Sequence, residues 1–182
     1  VLTALLALQV SSAVLEKFAI INETLDGLIK TGNEKSNQIL TAIVDEAGKS
    51  TNPKVTTAKE NAQKVRELTQ TTMKSIEEIK KKMLEISKTD KIDEKFIANH
   101  GSDVAVMMID TKSPWGKKYQ DLLKEYVVQL EQLSGKKFEK LDKAPADIPL
   151  FAENTNHKNK DFLTFTFENT PGIAAFASVT QT

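Results

Sequence analysis

The sequence predicts a mainly α chain. The end of an apolar membrane helix runs into an up-and-down helical bundle, with one short extended or β segment near residues 160–168. Three observations carry this reading. Long stretches repeat their apolar residues in alternating steps of three and four, the period of a helix face. Aromatics are only 6% of the 182 residues and glycines number 7, which is sparse for the turns and faces of a sandwich or barrel. Residues 1–15, VLTALLALQVSSAVL, carry no charge, although charged residues make up 27% of the chain.

The first segment is the anomaly. Val1–Val10 is apolar apart from Thr3 and Gln9. Ten helical residues span about 15 Å, half of a bilayer core, so this stretch cannot cross a membrane alone. A buried core helix, the tail of a signal peptide and the distal half of a membrane helix all compete for it. The signal-peptide reading is disfavoured because the helical pattern runs on past Ser12 without a loop. Val14, Phe18, Ile21, Leu25 and Leu28 follow at steps of 4, 3, 4 and 3, a heptad seam that resumes at Ile39 and Ile43. A helix that is apolar all round at one end and amphipathic beyond it favours membrane exit. Gly27 and Gly32 weaken this helix and are candidate kink positions.

The second helix has its own start signal, Asn52 before Pro53. Val55, Ala58, Ala62, Val65, Thr69, Thr72, Ile76, Ile79, Met83 and Ile86 then form an unbroken stripe, and Lys80–Lys82 reads as solvated surface. Asp103–Asp110 (DVAVMMID) is a short apolar element, helix or strand, between Gly101 and Pro114. Ser113-Pro114 repeats the cap-and-proline device. Trp115, Tyr119, Leu122, Tyr126, Leu130 and Leu133 follow at helical spacing, and Gly135 ends the helix. Pro145 and Pro149 break what comes next. Phe162–Phe167 (FLTFTF) alternates like a strand, or lies extended over the bundle. Thr170-Pro171 opens a last, amphipathic helix.

Function classes fall away quickly. Lys+Arg and Asp+Glu number 25 each, so the net charge is zero, without the basic surplus that phosphate binding requires. The absence of cysteine excludes disulfides and thiolate chemistry. With a single arginine, Arg66, the composition speaks against bidentate anion recognition as a theme of the chain. His100 and His157 have no partners at metal-ligand spacing. Asp103 and Asp110 read as cap and loop residues, and Trp115 with Tyr119 as core. No phosphate loop, nucleophile elbow or zinc-protease motif occurs. The sequence therefore names no catalytic, metal or cofactor residue, and a non-enzymatic role is expected.

The string LALQVSSAVLEKFAIINETL, with DGL and SNQIL after it, resembles the GldM/PorM family of Bacteroidetes. These are inner-membrane motor subunits of gliding motility and type IX secretion. Leu6-Ala7-Leu8-Gln9-Val10-Ser11 stands where the family has an LALNVS-like string, with Gln for the usual Asn. DVAVMMID and FENTPGIAAFASVTQT are also similar to the family.

The resemblance implies that residues 1–13 end a single membrane helix and that 14–182 form the first periplasmic helical domain, with β-rich domains downstream. It implies a parallel homodimer whose paired membrane helices are surrounded by a small partner of GldL/PorL type, and further periplasmic secretion or gliding components beyond. Proton flow would drive movement of the periplasmic arm. Leu2, Leu5, Leu6 and Leu8 are then candidates for contact with the membrane partner. Val14, Phe18, Ile21 and Leu25 are candidates for the dimer seam, against the alternative that they pack inside one protomer. Two other functions stay open: a membrane-anchored sensor whose helical bundle binds a small ligand, and a soluble helical adaptor.

Overall fold

The structure, a computed structural model, describes residues 12–98 and 102–182. Helix α1 (Ser12–Gly48) and helix α2 (Pro53–Ile86) form a long antiparallel hairpin. Contacts that rise along one and fall along the other fix the direction: Asp26 meets Lys80, while Asn33 and Asn37 meet Arg66. Short helices α3 (Glu94–Ile97) and α4 (Asp103–Ile109) lead into α5 (Pro114–Ser134). A single 3-10 turn (Pro145–Asp147) interrupts the long connection to α6 (Phe162–Phe167) and α7 (Gly172–Gln181). The pairs Glu78–Lys118 and Thr69–Tyr126 set α5 antiparallel to α2, so the three long helices run up, down and up.

Local chemistry accounts for the boundaries. The Asn52 side chain accepts from Lys54 N, and Pro53 costs no hydrogen bond in the first turn. Ser113 and Pro114 act the same way for α5, and Gly135 closes it at φ 68°. At the end of α2, Lys88 takes φ 60° while Thr89 N reaches back to Leu84 O, a left-handed cap made without glycine. DVAVMMID resolves as helix. The stripe read on α2 deepens along the helix until Thr72, Ile79 and Met83 are buried.

Three expectations are corrected. Residues 160–168 hold no β segment, because Phe162–Phe167 is a helix turn and a half long. Asp161 caps it by accepting from Thr164 N at 2.7 Å. Six residues are too few to separate a period of 2 from one of 3.6, and among the described residues there is no strand for it to pair with. Next, α7 is not amphipathic. Ile173–Ala177, Val179 and Thr180 are all buried, because α7 fills the centre between α1, α2, α4 and α3. Finally, Lys80 is not solvated surface but buried, as described below.

The core centres on this last helix. Ile173, Phe176 and Val179 meet Leu15, Ile79, Met83 and Phe96. Phe96 packs edge-on to Phe176 at 5.8 Å, and Tyr119 lies between Phe162 and Phe167 at 5.9 and 6.0 Å. Gly116 is required by close approach: a Cβ there would sit 1.8 Å from the Met108 carbonyl oxygen. Among the described residues no helix is long and apolar enough to cross a membrane. Val1–Val10 lies outside them.

Candidate functional site

Helix α1 carries two apolar stripes one residue out of step. The inner one includes Leu15, Ala19, Asn22, Ile29 and Ala47, and faces the rest of the chain. The outer one is the seam read from the sequence. On it Val14 is 44% exposed, Ile21 47%, Leu28 63% and Ile39 61%. Phe18 and Leu25 are half-buried, and Phe18 packs against the protomer's own core. So the seam residues stand together on one face; Ile20, also exposed at 54%, lies about a third of a turn away from it. Gly27 and Gly32 have open space where a side chain would be, and the helix passes through both without interruption. The proposed membrane-contact residues Leu2, Leu5, Leu6 and Leu8 lie outside the described residues.

The inner stripe is held by polar contacts that periodicity does not announce. Asn22 is 2% exposed. Its Oδ1 accepts from Thr180 Oγ1 at 2.7 Å, and its Nδ2 donates to Asp26 at 3.1 Å. Lys80 of α2 is buried; its ammonium meets Glu77 at 2.9 Å and Asp26 at 3.4 Å, and lies 5.1 Å from the Phe176 ring centroid. One cluster thus ties α1, α2 and α7 together. A buried polar group that lost its partner would cost 1–3 kcal/mol, so roughly that much opposes sliding α1 along α7. The sequence signal for it is the run of polar residues, Asn22, Asp26, Asn33 and Ser36, that interrupts this row.

Nearer the chain's end, the Tyr119 hydroxyl lies 3.0 Å from Thr182 Oγ1. Burial pushes its pKa up to about 12, and the Thr182 hydrogen bond opposes this only in part. The carboxyls of Glu131 and Glu139 are lowered by their hydrogen bonds to Lys137 and Lys143. His157 sits in an aromatic trio with Phe151 and Phe165, its Nδ1 buried without a partner among the described residues, instead of in a plain polar loop. Asp103 and Asp110 serve α4 as first-turn and C-terminal residues. No group of three or more His, Cys, Asp or Glu placed to hold a metal occurs among the described residues.

The arrangement is a long helix locked to its own bundle on one side and apolar on the other. The family model described as the GldM N-terminal domain matches residues 13–182. No curated protein and no solved structure is matched by the chain. The matched stretch covers the whole bundle, both stripes of α1 and the central α7, and the chain belongs to the GldM family, a family of gliding-motility and type IX secretion components, as its N-terminal domain.

Proposed function

We propose that the chain is a non-enzymatic subunit of a proton-motive-force-driven inner-membrane motor that passes movement through the periplasm. In this reading α1 is the lever. It pairs with α1 of a second copy along Val14, Phe18, Ile21 and Leu25 and continues upstream into a single-pass membrane helix. There Leu2, Leu5, Leu6 and Leu8 face a small partner of GldL/PorL type. The observation that supports it best is the pairing of stripes on one uninterrupted 37-residue helix. At 1.5 Å per residue such a helix is about 55 Å long. The inner stripe binds α1 to its bundle, so a push or twist at one end moves the bundle as a unit. The outer stripe supplies an apolar row at the heptad spacing that a parallel helix pair buries.

Residues 1–182 contain no cysteine, so single cysteines introduced among them can be read one at a time. Single cysteines placed at 14, 21 or 28 should cross-link two copies in cells, and a cysteine at the half-buried Leu25 less efficiently. Ile21→Asp combined with Leu28→Asp should abolish cross-linking and motility or secretion while leaving the isolated fold intact, because both side chains are exposed. Unchanged cross-linking in the double variant overturns the seam. For the membrane contact, Leu5→Lys or Leu8→Lys should block co-purification with the partner, since a central charge costs about 2.5–3.5 kcal/mol on insertion.

A further inference from the structure

A cavity of about 290 Å³ lies between α1, α2, α5 and the end of α7. Its floor is apolar, formed by Ile29, Met73, Ile76, Leu123 and Val179. Its wall is polar, with Asn33, Arg66, Thr69, Thr72 and Tyr126. The charges in this lining are unequal in what they do. Lys80 is matched by Glu77, 2.9 Å away. Arg66 has neutral acceptors only: its Nε donates to Asn37 Oδ1 and its Nη1 to Asn33 Oδ1, each at 2.9 Å. Among the described residues no carboxylate pairs with it.

Two further groups converge on the same space. Thr72 is 8% exposed, and its hydroxyl takes no partner from the described residues. Thr69 Oγ1 gives its proton to Val65 O at 2.9 Å, so the Tyr126 hydroxyl donates to Thr69 Oγ1 at 3.1 Å and keeps acceptor capacity only. A guanidinium already held by two asparagines loses little side-chain freedom when it takes an anion, and its planar fork matches a carboxylate.

We propose that this cavity binds a free monocarboxylate with a short apolar stem. Arg66 takes the carboxylate, Thr72 donates to one of its remaining lone pairs, and the stem lies on the Ile76–Val179 floor. The size sits at the lower limit of small-molecule pockets, which limits the stem to a few methylenes. Glu77 in the same wall disfavours a second negative charge. The bundle would then sense a small molecule at the point where α1, α2, α5 and α7 meet, independently of whether α1 pairs with a second copy.

The test is titration of the whole chain with sodium hexanoate, followed by NMR shifts at Thr72, Ile76, Tyr126 and Val179, with 1-hexanol and acetyl-Gly-Leu run in parallel. Hexanoate should bind saturably at those residues, at least tenfold more tightly than hexanol. Arg66→Gln should weaken it at least tenfold, and Arg66→Lys less. Arg66→Gln also alters the contacts to Asn33 and Asn37, so Thr72→Leu serves as a second variant. It fills the cavity without touching the guanidinium and should abolish binding. Equal affinity for hexanol, unchanged binding in either variant, or no saturable shift at these residues overturns the site. Tighter binding of the dipeptide than of hexanoate overturns the assignment to a free small molecule.

Discussion

Two buried polar residues of the α1–α2–α7 cluster differ in what their removal should cost. Asn22 is enclosed, and Asn22→Ala leaves the Thr180 hydroxyl with only Phe176 O as partner. A loss of about 1–3 kcal/mol is expected in chemical denaturation. Lys80 is buried too, but its partners Asp26 and Glu77 are half open to water, with side chains 51% and 66% exposed. Lys80→Met therefore leaves no buried charge behind, and a change within about 1 kcal/mol is expected. A larger cost for Lys80→Met than for Asn22→Ala would show that the ion pair, not the asparagine, locks the stripe. Tyr119 gives a pH signature. Below pH 10 its phenol is neutral in both folded and unfolded chains. Above 10 the unfolded chain ionises while the buried phenol resists up to about 12, so stability is lost across that window as pH rises. Its share is up to about 3 kcal/mol at one unit of pKa per 1.36 kcal/mol. Tyr119→Phe should flatten the alkaline arm of the unfolding profile by that difference against the native chain.

At the scale of elements, glycine positions separate helices that are open from helices that touch. Gly27→Ala and Gly32→Ala meet nothing within 4 Å, and each should stabilise α1 by up to about 1 kcal/mol in thermal or chemical unfolding. Gly116→Ala drives a methyl into the Met108 backbone and should destabilise by about 1–3 kcal/mol or more by prising α5 from α4. Caps and stripes made α2 and α5 readable residue by residue: Asn52-Pro53, Ser113-Pro114 and Gly135 each act locally, so no tertiary knowledge was needed. FLTFTF was misread because its helix is chosen by Asp161 on one side and by the docking of Phe162 and Phe167 around Tyr119 on the other. That second term is not local.

Over the whole molecule, the α1–α2 hairpin continues past the other elements. Leu133 and Ser134, the last residues of α5, stand level with Asn61 and Ala62 of α2 around one groove. Beyond it Ala47 is the last buried residue of α1. The hairpin tip therefore rests on two helices only, while the opposite end is backed by α3, α4 and α7. Amide exchange should be fastest in residues 41–60 and slowest around Ile79, Met83 and Ile173. Uniform protection along α1 and α2 would contradict this gradient of support.

The sequence by itself determined the helical class, the limits of the two capped long helices and a heptad row on α1, because caps, prolines and a 3.6-residue period are properties of neighbouring residues. It also exposed the charge-free start and the family strings. Only the tertiary structure decided which of two adjacent stripes on α1 turns inward, that α7 is the centre instead of a surface helix, and that Lys80 and Asn22 are buried partners. The reason is physical: stripes one position apart lie about 100° apart around a helix, and both are apolar enough to bury. The choice between them rests on hydrogen bonds to a helix that begins 124 residues after α1 ends, from Gly48 to Gly172.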